Sequence, residues 1–293
     1  MTILVDKNTR LLVQGITGRQ GRLHTQEMIK YGTKIVAGVT PGKGGTEVHD
    51  IRVYDFVEDA VREHPEINAS IVFVPARFIF DAVIEAIDAG IKLIVIITEH
   101  IPVHVTLRMV NYAKCNEANI IGPNTPGVIS PGETKVGIMP GEYFKRGKIG
   151  LMSRSGTLTY EVSLVLMKNG FGTSTAVGIG GDPIVGLDFR DIYMMFAEDE
   201  GTEAVVLIGE IGGVKEEKFA EFYRTLPDEK KKPVVAYIAG KSAPPGKKMG
   251  HAGAIVFGHM GSYYSKTRSL EEAGIQVAHT IPEIPVLLSK LGL

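Results

Sequence analysis

Leu11-Leu12-Val13-Gln14-Gly15-Ile16-Thr17-Gly18-Arg19-Gln20-Gly21 decides how the rest of the chain is read. The apolar run at 11–13 predicts a buried strand, and residues 21–31 predict an amphipathic helix. Between them, glycines recur at 15, 18 and 21. A strand that breaks at a glycine turn straight into a helix is the opening unit of a parallel α/β sheet.

Outward from this unit the same rhythm continues. Short runs rich in β-branched residues lie at 35–39, 70–74, 93–97 and 120–121, with amphipathic stretches at 57–63, 78–89 and 105–118. The runs are continuous rather than alternating, as expected of strands covered on both faces. Residues 122–147 break the rhythm with Pro123, Pro126, Gly127, Pro131, Gly132, Pro140 and Gly141, and they predict a long connection. A second series follows, with strands predicted at 149–152, 174–179, 204–208, 234–238 and 276–278. Its helices are predicted at 157–168, 188–198, 215–226, 265–273 and 284–291. The expectation is two successive doubly wound α/β domains, 1–130 and 131–293, with the boundary somewhere between about 125 and 147. A length of 293 residues is close to where a single core splits.

Composition narrows the partners. Thirty-two Lys and Arg against 33 Asp and Glu leave no global field for nucleic acid or an anionic membrane, so a polyanion site must be local. The longest apolar stretch, 91–98, contains Lys92 and is too short to span a bilayer. Residues 1–10 carry charges and no apolar run, which argues against a signal peptide or a transit peptide. The single cysteine, Cys115, makes no internal disulfide and fits a reducing compartment. Together these predict a cytoplasmic protein.

Two places along the chain carry chemistry. At the first, the glycine turn lets the backbone approach a phosphate, and the helix start offers free N–H groups. Its spacing is G-x-x-G-x-x-G, not the dinucleotide fingerprint. The second strand ends in Gly38-Val39-Thr40-Pro41-Gly42-Lys43, where an NAD site would have an acid. Lys43 suits a phosphate on a ribose, as in NADP or coenzyme A; otherwise the glycines simply make tight turns. Ile97-Thr98-Glu99 closes the fourth strand, where ligand-lining loops lie, although Glu99 reads equally as a solvated acid. His100 and His104 suggest a metal pair, but Pro102 between them starts a helix that excludes His100, and no third ligand is evident. No metal site is expected.

At the second place, Ser153-Arg154-Ser155-Gly156-Thr157 joins strand to helix. The hydroxyls suit a phosphoryl group, while plain N-capping by Ser155 explains the same residues. A nucleophile elbow would need glycine two positions either side of Ser155, and Ser153 and Thr157 stand there. Glu210, among glycines after the third strand of this half, is placed to orient an imidazole or to bind backbone amides. His251 lies in Gly250-His251-Ala252-Gly253-Ala254, close after Lys247 and Lys248. A neutral imidazole there can attack phosphorus and pass the group on, while an ordinary loop histidine without a catalytic role explains the same residues. His259 and His279 read as surface.

With these motifs in view the chain resembles the alpha subunits of succinate–CoA ligase from end to end. The resemblance rests on residues 14–21, 38–45, 97–99, 122–124, 153–161, 178–183, 209–213 and 249–253. It implies a Rossmann-like CoA-binding domain followed by a flavodoxin-like ligase domain. It implies that Thr17, Gly18, Arg19, Gln20, Lys43, Ile97, Thr98 and Glu99 contact coenzyme A. It implies that His251 is a phosphohistidine steadied by Glu210, that Ser155, Gly156 and Thr157 hold its phosphoryl group, and that Tyr160 lies near the carboxylate substrate. It further implies an ATP-grasp beta subunit carrying ATP or GTP and Mg²⁺, in an αβ or α2β2 assembly, with succinate, CoA and phosphate as substrates. Two departures are visible. Thr125 stands where the family often has Cys, so a thiol there is not essential. Residues 257–264 replace a glycine- and lysine-rich stretch. A ligase for malate or another small acid, an NADP-dependent oxidoreductase and a CoA-sensing module are the rival readings. The oxidoreductase leaves the histidine motif without a role, and the CoA-sensing module predicts no phosphorylation even with the partner present.

Overall fold

The computed structural model describes residues 2–243 and 261–293. In chain order the first half contains β1 (Leu11–Gln14), α1 (Arg19–Tyr31), β2 (Ile35–Val39), β3 (Glu47–Val48), β4 (Ile51–Tyr54), α2 (Val57–Glu63), β5 (Ala69–Val72), α3 (Ile79–Asp88), β6 (Leu93–Ile96), α4 (Val103–Cys115) and β7 (Asn119–Ile121). The remainder contains β8 (Gly127–Ser130), β9 (Thr134–Gly137), β10 (Arg146–Ser153), α5 (Gly156–Lys168), β11 (Thr173–Gly178), α6 (Phe189–Glu198), β12 (Ala204–Glu210), α7 (Lys215–Thr225), β13 (Val234–Ala239), α8 (Tyr263–Glu272), β14 (Gln276–Ala278) and α9 (Glu283–Lys290).

The strands form two seven-stranded sheets among the described residues, ordered β3-β4-β2-β1-β5-β6-β7 and β14-β13-β12-β10-β11-β8-β9. Setting aside the small antiparallel β3, the first has the order of a doubly wound Rossmann sheet, all parallel, with its switch point between β1 and β5. The parallel core of the second, β11-β10-β12-β13-β14, has the flavodoxin-like order, with its switch point between β10 and β12. The expected α/β architecture is therefore present in both halves.

Residues 122–147 differ from expectation. Instead of a plain connection they form the β8–β9 hairpin, which adds antiparallel to β11. Its strands are only four residues long, and the prolines and glycines that punctuate it mask the strand signal. Gly127 and Gly137 face each other, and a Cβ on Gly127 would stand 2.2 Å from the Val136 carbonyl oxygen. Residues 127–130 thus hydrogen-bond into the second sheet, and the two sheets divide between β7 and β8. Strands β3 and β4 also went unread, being two and four residues long with charges among them.

Leu11 and Val13 face one way and Leu12 the other, and both sides are buried. Leu12, Val39, Val72, Ile94 and Ile96 pack with α2, α3 and α4. Leu11, Val13, Ile71 and Val95 share a core with Met152, Val177, Val205 and Leu207 of the second sheet. The opposite face of that sheet, including Leu151, Ala176, Val206 and Ile208, packs with α5 and α9.

Candidate functional site

The first site lies at the carboxyl ends of β1 and β2. Gly15 adopts φ +76°, its amide donates to the Val39 carbonyl (2.8 Å), and its own carbonyl accepts from the Gly18 amide (3.0 Å). A Cβ on Gly21 would stand 2.2 Å from the Gly15 carbonyl oxygen, so only glycine lets α1 rest directly on the turn. No side chain caps α1 at Gly18. Its first amides therefore remain available to an anion, in the positive field of the helix start. The Thr17 and Thr40 hydroxyls meet at 3.2 Å, and both residues line a cavity of about 540 Å³.

Thr17 and Gly18 line that cavity, together with Gln14, Thr40, Pro41, Phe73, Pro75, Phe78, Asp81 and Glu85. Arg19 and Gln20 are exposed on the first turn of α1. Lys43 is exposed in the loop between β2 and β3; its amide closes a turn to the Thr40 carbonyl (3.1 Å) and its side chain does not reach the cavity wall. Ile97, Thr98 and Glu99 follow β6 outside the lining, but the Thr98 hydroxyl donates to the carbonyl of Val74, a lining residue (2.7 Å). Pro102 caps α4, so His104 lies on the helix and His100 does not; exposed His100 stands 3.4 Å from Glu99. The aromatic wall and its two acids escaped the sequence reading. Phe73 follows β5 at the switch point, so strand order, had it been known, would have pointed there. Phe73 is backed by His24, stacked at 5.7 Å. Burial pushes the Glu85 carboxyl up, although the Val57 amide donates to it (2.7 Å).

The second site lies at the carboxyl ends of β10 and β12. Ser155 does cap α5, accepting from the Leu158 amide at 3.4 Å, so the capping reading holds for its hydroxyl. The cap leaves the preceding amides of Gly156 and Thr157 to another acceptor. Tyr160, half-buried on the next turn, is pushed up to about 12 by burial and stays a hydrogen-bond donor. Glu210 ends β12 beside the fully buried Arg154 guanidinium, 3.3 Å away. Arg154 also pairs with buried Glu216 (2.9 Å), which in turn holds buried Lys266. These charges went unread because their partners are far apart in sequence. His251 and His259 lie outside the described residues. His279 is exposed, its ring 3.0 Å from the Tyr263 hydroxyl.

Residues 122–126 connect the two places. The Asn124 amide donates to the Thr98 carbonyl (3.0 Å), and its side-chain amide donates to Asp182 (3.0 Å). Thr125 donates to the Gly178 carbonyl (2.5 Å) and accepts from the Gly127 amide (2.9 Å). Pro126 packs against Gly156 and Gly178. One short segment thus touches the loop after β6, the end of β11 and the start of α5.

The CoA binding domain family matches residues 6–100, and the CoA-ligase family matches residues 152–276. A protein of Archaeoglobus fulgidus named succinate–CoA ligase [ADP-forming] subunit alpha 2 is 57% identical over 291 residues, covering 99% of this chain and 100% of that protein. The chain belongs to the succinate–CoA ligase alpha-subunit family. The subunit alpha of Aquifex aeolicus is 54% identical over 293 residues, covering 99% of this chain and 95% of its own. The alpha-subunit fold also recurs in the ATP citrate lyase of Methanosaeta concilii, solved with (3S)-citryl-CoA. There the TM-score is 0.89 at 22% identity, over 99% of this chain and 52% of that one. The chain thus spans about half the length of that structure, and the likeness is one of fold.

Proposed function

We propose that this chain, with a beta subunit, reversibly converts succinate, CoA and a nucleoside triphosphate into succinyl-CoA, nucleoside diphosphate and phosphate. The observation that carries the reading is the bridge at 122–126, which joins an anion-ready turn and cavity to a second helix start beside a fixed carboxylate. The first domain, about residues 1–130, takes coenzyme A. Its phosphates lie on the turn at Thr17, Gly18, Arg19 and Gln20, with Lys43 and the loop Ile97, Thr98 and Glu99 as further contacts. The rest of the chain carries the phosphoryl group.

In this mechanism an imidazole nitrogen of His251 attacks the γ-phosphorus of the nucleotide, and the diphosphate leaves with the bonding electron pair. Glu210 accepts the other ring N–H and fixes the tautomer. The amides of Gly156 and Thr157, with the Ser155 cap, hold the phosphoryl oxygens. A succinate carboxylate, positioned by the Tyr160 hydroxyl, then takes the phosphoryl group, breaking the N–P bond and giving an acyl phosphate. The CoA sulfur attacks the acyl carbon and expels phosphate. The nucleotide and Mg²⁺ belong to an ATP-grasp beta subunit, ATP following from the ADP-forming relatives. The assembly is a cytoplasmic hetero-oligomer. His251→Asn in the αβ complex is expected to abolish acid-labile labelling from γ-labelled ATP while CoA still binds. Undiminished labelling of that variant would overturn the proposal.

A further inference from the structure

The cluster around Arg154 is unusual in its depth. Arg154, Glu216 and Lys266 side chains are 1%, 0% and 0% exposed, and the chain of alternating charge runs Glu210, Arg154, Glu216, Lys266, Glu217. Arg154 Nη1 also donates to the carbonyls of Glu210 (3.2 Å) and Gly212 (3.0 Å), while Glu216 accepts from the Glu210 amide (3.2 Å). Glu210 is therefore gripped at its side chain, its carbonyl and its amide by one pair of buried ions. Such pairs are a poor means of stabilisation, because desolvation offsets most of their attraction, whereas removing one partner leaves a costly buried charge. Orientation is what the arrangement supplies.

Its position supports this. Arg154 directly precedes the Ser155 cap of α5. Glu210 pairs in register with Ala239, the last residue of β13, where the chain leaves the sheet toward His251. Lys266 sits on α8, to which the chain returns afterwards, and its ammonium also donates to the Gly213 carbonyl (3.0 Å). The Gly212 amide donates to the Gly261 carbonyl (2.8 Å). The ion chain thus ties the start of α5 and the carboxylate to α8, and strand pairing ties the carboxylate to the end of β13.

We infer that Arg154, backed by Glu216 and Lys266, is a positioning residue that acts through Glu210 to set the orientation of the phosphoryl-accepting imidazole. The inference rests on the proposed role of Glu210 toward His251. A double-mutant cycle in the αβ complex tests it, with single-turnover phosphohistidine labelling from γ-labelled ATP as the readout and CoA affinity as the control. Glu210→Gln and Arg154→Met are each expected to slow labelling by about 100-fold, with CoA affinity kept within about twofold. The double variant is expected to be no slower than the slower single one, because Arg154 acts through Glu210. Losses that multiply in the double variant would overturn the inference while leaving the role of Glu210 intact. Full-rate labelling of Glu210→Gln would overturn both. Where Arg154→Met yields no soluble complex, Arg154→Lys and Glu216→Gln carry the same cycle and the same criterion.

Discussion

Gly21 shows how closely a helix must approach a turn to expose its first amides. The Cβ of an alanine there would meet the Gly15 carbonyl oxygen at 2.2 Å and the Ile16 Cα at 2.9 Å, both backbone atoms that cannot step aside. Gly21→Ala is expected to push α1 off the turn, at a cost of about 1–3 kcal/mol of stability. CoA affinity should fall at least about tenfold, since one pK-sized step of 1.4 kcal/mol is tenfold. Urea unfolding and equilibrium dialysis check this, and an unchanged CoA affinity would show that the turn does not bind the ligand. At this scale the turn was legible in the sequence, because a glycine spacing is local. The use of Thr125 was not. Its hydroxyl satisfies one carbonyl and one amide, which only the fold brings within reach.

Among the elements, the start of α7 holds two shifted titrations. No side chain caps this helix; Glu216 and Glu217 in its first turn suit the helix dipole, and Lys215 does not. Burial, then the Arg154 charge, lowers the Lys215 ammonium to about 8, against the pull of Glu216, Asp182 and Asp188; it donates to the Asp182 carbonyl at 2.7 Å. Between about pH 8 and the ordinary lysine value near 10.5, the unfolded chain binds a proton that the folded chain has shed. Stability therefore rises with pH across that window. Relative to Lys215→Met, the wild type should gain up to about 3 kcal/mol from pH 7.5 to 10.5, measured by urea unfolding. Parallel curves for the two proteins would refute it. Glu216 has the same sign in the acid range. Burial opposes its charge, but Arg154 and Lys266 outweigh it and hold the carboxyl at about 2, so its contribution is present above pH 4.5 and is lost as pH falls toward 2. Periodicity located α7 at 215–226, within a residue of its observed end. The hairpin at 127–137 was missed because the prolines and glycines around its short strands read as a connection.

For the molecule as a whole, the shared core means the two sheets are not independent. Leu11, Val13 and Ile71 pack in one cluster with Val205, Leu207 and Phe219. Polar ties reinforce it: the Ile3 amide donates to Thr175 (3.2 Å), Ser130 to the Val5 carbonyl (2.8 Å) and Thr33 to the Lys135 carbonyl (2.7 Å). The expected outcome is one cooperative unfolding transition. Hydrogen exchange followed by mass spectrometry should show peptides covering 11–14 and 204–210 losing protection at the same denaturant concentration. Two separated transitions would mean that the halves fold alone. The bridge at 122–126 belongs to this scale as well, since it joins the sites only because both sheets are in place.

What the sequence determined by itself was the kind and order of the helices and of the main parallel strands, the glycine turn before α1 and the hydroxyl-rich start of α5, because each depends on neighbours a few residues away. Tertiary structure decided the rest. Strand order set the switch points, and with them the aromatic wall at Phe73 and Phe78. Folding brought Arg154 onto Glu210 and Glu216, 56 and 62 residues further along the chain. No local pattern encodes such a meeting. A buried charge becomes tolerable only where its counter-charge arrives, and that is settled when the sheet closes and water leaves.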